Sequence, residues 1–85
     1  YPQNGPVHGA LGWALIQERE FEGAKKELTT ALELNPDDAL AHNNLGVLSE
    51  LQGEREAAKK HYQRAREINP RFDRAGRNLN RVSGE

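Results

Sequence analysis

Leu45, Leu48 and Leu51 follow one another at steps of three, the spacing that gathers side chains on one side of a helix. Nowhere do the 85 residues alternate apolar with polar as a half-buried strand would. Polar punctuation then divides the chain. Asp37 or Asp38 can cap a helix running to about Leu51, where Gln52-Gly53 breaks it. A second helix starts near Glu54 and stops before Asn69-Pro70, because a residue preceding proline is pushed out of the α region. Asn35-Pro36 sets an equivalent stop. Glu22 with Lys26, and Glu56 with Lys60, stand one turn apart and support exposed helix faces. The pattern predicts five helices, at about residues 5–19, 21–34, 39–52, 55–68 and 73–82.

The segments repeat. Shifted by 34 residues, Pro2, Pro36 and Pro70 coincide, as do His8 with His42, Leu11-Gly12 with Leu45-Gly46, Ala24 with Ala58, Ala31 with Ala65 and Asn35 with Asn69. The echo continues past Pro70 in Ala41/Ala75, Asn44/Asn78 and Leu45/Leu79. The implied organisation is a stub over 1–4 that ends a missing preceding repeat, one repeat over 5–38, another over 39–72, and a capping helix with its tail over 73–85. An array built this way leaves its first helix with one uncovered face, a route to weak self-association.

Composition narrows the function. With 35% hydrophobic residues the chain is lean for a compact globule but adequate for stacked helices joined through small residues. A net charge of −1 gives no general pull toward nucleic acid, which is not an expected partner. The absence of cysteine excludes disulfides and thiolate chemistry. No apolar run reaches the length of a membrane span or of a signal-peptide core, so no membrane contact is expected of this segment. Together these favour a soluble, cytoplasmic setting.

The repeated residues resemble the tetratricopeptide repeat family. The second unit matches its pattern at Leu45-Gly46, Ala58, Tyr62, Ala65 and Pro70, and the first at Leu11-Gly12, Ala24, Ala31 and Pro36. Departures are His8 and His42 where the family favours Trp, Leu15 and Ser49 where it favours Tyr, and Leu28 where an aromatic is usual. The resemblance implies an all-α, right-handed solenoid of two antiparallel hairpins plus a cap helix. Glycine and alanine would sit where helices touch, with Leu11, Leu45 and Tyr62 filling the gaps. It also implies protein–protein binding through a concave groove lined by the first helix of each pair. That lining would include Trp13, Ile16 and Gln17, then Asn43, Asn44 and Val47, then Arg74, Arg77 and Arg81. The alternative is a purely structural segment that caps an array whose binding site lies elsewhere.

Each candidate has a plainer reading beside it. Trp13 either anchors a ligand in the groove, with Ile16 and Val47 extending an apolar floor, or fills the core. Asn43 and Asn44 either bond a ligand backbone or are ordinary polar helix residues. Arg74, Arg77 and Arg81, spaced i, i+3, i+7, form either an anion-binding wall or a solubilising face. The wall would select a partner with acidic or C-terminal carboxylate character. Of the family's Lys-Asn-Asn-Lys-Arg carboxylate clamp only Asn44 is retained, with Arg74 in place of a lysine. His8 and His42 recur with the repeat and are expected to pack; His61, beside Lys60, is expected in solvent. Neither a metal nor another cofactor is implied, and no catalytic constellation is present.

Overall fold

The computed structural model describes residues 5–84, with side chains from His8 onward. In that range lie helices α1 (Gly5–Gln17), α2 (Phe21–Leu34), α3 (Ala39–Leu51), α4 (Arg55–Ile68) and α5 (Asp73–Gly84), without a strand among the described residues. The expected stub at 1–4 falls outside them. α2 and α4 take their predicted bounds. α1 stops at Gln17 instead of 19, and α3 at Leu51 instead of 52, for one shared reason. Arg19 (φ 62°) and Gly53 (φ 79°), 34 residues apart, turn into the left-handed region. The next amide then folds back: Glu20 N–H reaches Leu15 O and Glu54 N–H reaches Ser49 O, both at 2.8 Å. These paired closures satisfy the last carbonyls and end the helix. α5 runs on to Gly84 instead of 82, its last turn tied down where Arg55 Nε donates to Val82 O at 2.9 Å.

The other ends follow the residues that stand there. Asp38 caps α3, its carboxylate accepting from Ala41 N–H at 3.0 Å. Asn35 and Asn69 are extended, as the following prolines require. Their amide oxygens accept from Asp37 N–H and Arg71 N–H, both at 3.1 Å, so each inter-helix corner is built the same way.

α1 pairs with α2 and α3 with α4 as hairpins, and α5 lies against α4. The hairpins close on glycine. A Cβ on Gly12 would come 2.6 Å from Leu28 Cγ, and one on Gly46 would come 2.4 Å from Tyr62 Cε1. No side chain fits at either place without displacing its partner, so the Leu28 and Tyr62 side chains seat directly on the glycine backbone. The main core joins Ile16, Ala24, Leu28 and Ala31 of the first hairpin to Ala41, Leu45 and Leu48 of α3. A second cluster joins Ala58 and Tyr62 of α4 to Val82 of α5, and half-buried Val47 touches both.

One expectation about packing fails. Leu11 and Leu45 share a repeat position, yet Leu45 is 9% exposed and Leu11 is 47% exposed. The first hairpin covers Leu45; among the described residues nothing covers Leu11.

Candidate functional site: the open stripe of α3

α3 is enclosed on almost every side. Ala41, Leu45 and Leu48 face the first hairpin, and Gly46 faces Tyr62 of α4. Asn43 and Glu50 face α5, accepting hydrogen bonds from Asn78 and Arg81. What remains open is a strip of Leu40, Val47 and Leu51 at i, i+7 and i+11, one line along a helix. Leu40 and Leu51 are exposed and Val47 is half-buried. The Arg74 guanidinium of α5 lies 6.0 Å from the Trp13 ring centroid of α1. α3 sits between those two helices, so this contact spans it on the side that bears α1, α3 and α5. A cation against an aromatic face at that distance is a favourable contact.

The nine residues expected to line the groove divide into those that face it and those that hold the fold. Val47, in the strip, and Trp13, against Arg74, are half-buried, and Gln17, Arg74 and Arg77 are exposed. Trp13 also packs against the main core, as its core-filling reading expects. Ile16 is inside, at 4% exposure, because it belongs to the core between α1 and α3. Asn43 and Asn44 are inside too, at 0% and 1%. They flank the strip on the α3 surface, each covered by the neighbouring helix on its side. Asn43 Oδ1 accepts from Asn78 Nδ2 at 3.0 Å. Asn43 Nδ2 and Asn44 Oδ1 have no hydrogen-bond partner among the described residues.

Arg81 is likewise corrected. It does not continue a free basic wall, because Glu50 neutralises it. One Glu50 carboxylate oxygen accepts both from an Arg81 guanidinium N–H and from Tyr62 Oη–H, the latter at 2.7 Å. Arg81 also donates to Asn78 Oδ1 at 2.9 Å, so Tyr62, Glu50, Arg81, Asn78 and Asn43 form one chain of bonds between α3, α4 and α5. Burial first, and then the bond to Glu50, push the Tyr62 phenol above its ordinary range. The Glu50 bond also raises Arg81. Arg74 and Arg77 differ from it, since no carboxylate pairs with either among the described residues. A row spaced i, i+3, i+7 cannot by itself reveal this, because Glu50 sits 31 residues away on another helix. Leu51 was legible as part of the leucine spacing but not as groove lining; its i+11 relation to Leu40 is the signal.

His61 departs from expectation as well. It is half-buried against His42, with ring centroids 6.1 Å apart, because its face of α4 turns toward α3 rather than outward. His8 and His42 are half-buried in their hairpins.

Chemically, the strip sets exposed aliphatic side chains beside the cations Arg74 and Arg77. Nearby, a cleft of about 260 Å³ is lined by Glu50, Gly53, Arg55, Arg81 and Val82, whose polar groups bond to one another rather than outward. Among the described residues no three His, Cys, Asp or Glu side chains gather as metal ligands, and no helix is long and apolar enough to cross a membrane.

Comparison with known proteins agrees with the repeat frame. Residues 10–77 match the tetratricopeptide repeat. No curated protein matches the chain. Repeats of this kind generally mediate protein–protein interaction and are typically not enzymes. With glycine-seated hairpins recurring every 34 residues, and with most of its length matched, the chain belongs to the tetratricopeptide repeat family.

Proposed function

We propose that the chain binds a segment of a partner protein along the concave strip. Leu40, Val47 and Leu51 form the floor, with Trp13 and Arg74 at one end and Arg77 beside it. The observation that carries this reading is the enclosure of α3 on all sides but that one. Large aliphatic side chains left open in line on an otherwise covered helix mark an interaction surface. The fitting ligand carries one or two bulky apolar residues followed by Asp, Glu or a free carboxylate, which Arg74 and Arg77 would meet. Exposed charge contacts contribute about 1 kcal/mol or less each and weaken with salt. Affinity for a short peptide should therefore be micromolar or weaker. Screening peptide libraries against the intact chain, Val47→Asp and the double change Arg74→Gln with Arg77→Gln tests it. Val47→Asp should abolish binding, and the arginine change should remove only the acidic preference. Binding that survives Val47→Asp with the fold intact would overturn the reading.

A structural role is the second reading, favoured by α5. Asn80 stands there in the phase of Gly12 and Gly46. A side chain at that position denies a following helix the close seat that Leu28 and Tyr62 enjoy. The strip would then be incidental and the chain would serve to end an array. In that case no library peptide would be retained by the intact chain.

A further inference from the structure

The 34-residue frame that superposes His8 on His42 also superposes Glu27 on His61. The same pair of positions thus joins each hairpin across its seam, with opposite chemistry. In the first hairpin His8 Nδ1 lies 2.6 Å from Glu27 Oε1, partly buried. In the second, two imidazoles face each other with centroids 6.1 Å apart. There His42 Nε2 is 3.1 Å from Pro36 O, and its Nδ1 is buried without a partner among the described residues.

We propose that the two hairpins answer acid in opposite senses, protonation tightening the α1–α2 seam at His8–Glu27 and loosening the α3–α4 seam at His42–His61. A proton on His8 turns its contact into a charge-assisted pair. A proton in the second pair either places a cation against a second half-buried imidazole or adds an N–H where His42 Nδ1 has nothing to receive it among the described residues.

The surrounding charges do not reverse either effect. α1 carries no Lys, Arg, Asp or Glu, and the residues three and four places from Glu27 on α2 are Gly23, Ala24, Thr30 and Ala31. Around the second pair, Asp38 caps Ala41, and Asp37 is paired with Arg64 at 3.2 Å. Arg64, one turn from His61, is itself paired with Asp37 and, at 3.5 Å, with Glu67, so it favours neither sign. Burial and then His42 hold His61 below the usual histidine range. The unfolded chain therefore takes up that proton first. Its contribution to stability is whole above about pH 6.5 and is lost as pH falls through that value toward the folded one. This inference stands on the paired residues alone and is independent of the groove.

The test compares thermal midpoints at pH 7.5 and 5.5, above the range where carboxylates titrate, for the intact chain and three variants. His61→Glu gives the second hairpin the pairing of the first, Glu27→His does the reverse, and His61→Gln removes the second pair's extra charge. The expected order of acid-induced loss is Glu27→His greatest, then the natural chain, then His61→Gln, with His61→Glu least. The natural chain should lose on the order of 4–8 °C. Should any variant fail to fold, the His61 ring proton followed by NMR in the natural chain decides, with a midpoint below that of a histidine peptide expected. An acid loss unchanged in His61→Gln and His61→Glu, or a His61 ring titrating as in a peptide, overturns the proposal.

Discussion

α1 and α3 occupy the same place in successive repeats, and the same face of each meets a different world. On α3, Asn44, Leu45 and Leu48 are buried under the first hairpin; on α1, the corresponding Ala10, Leu11 and Ala14 are exposed. Each is backed by its own hairpin partner, and among the described residues what differs is the preceding side, which the first hairpin fills for α3. In a repeat array, burial belongs to the junction between units and not to the residue. α1 has no charged residue with which to suit its exposure. That apolar, half-covered helix is the less protected of the two, and slow amide exchange should concentrate in α3.

Truncating the shared leucine gives the largest contrast. Leu45→Ala should cost about 2–5 kcal/mol, a large share of the stability of so small a domain, whereas Leu11→Ala should stay within about 0.5 kcal/mol. Denaturant titration of the two variants measures it, and equal losses would mean that Leu11 is covered in solution.

Filling the glycine seats comes next. Gly12→Ala and Gly46→Ala should each cost about 1–3 kcal/mol, as overpacking does. Gly46→Ala should be the worse, because the Tyr62 ring it meets is rigid and anchored through its hydroxyl to Glu50. Tyr62→Phe in the Gly46→Ala background would then recover part of the difference by freeing the ring.

The smallest effect lies at the helix-ending turns. Arg19 adopts in the first repeat the left-handed backbone that glycine adopts in the second, with its guanidinium 5.4 Å from the Phe21 ring as partial recompense. Gly53→Arg should cost about 1 kcal/mol and Arg19→Gly should gain about 0.5 kcal/mol, read from unfolding midpoints. A loss on Arg19→Gly would give the Phe21 contact more weight than the backbone.

The features legible in the sequence were those fixed within one unit. The helix spans, the stops at Asn35 and Asn69, the cap at Asp38 and the small residues at the seams all depend on neighbours within a hairpin or corner. The site was legible only in outline. Leu11 and Leu45 read alike, yet only one is covered. Asn43 and Asn44 read as polar surface, yet α1 and α5 close over them. Arg81 reads as a free cation until Glu50 is brought beside it. In each instance the deciding partner lies in another repeat or on another helix, and spacing along one helix carries no record of it.

Asn80 gives the fold an evolutionary handle. In each hairpin the second helix seats closely only because the first offers a bare backbone. Gly12 and Gly46 offer one; Asn80 withholds it. The close pairing of α5 with a helix of the α2 or α4 kind is therefore opposed at a single codon. A change to glycine there would open on α5 the same seat that α2 and α4 occupy in their own hairpins.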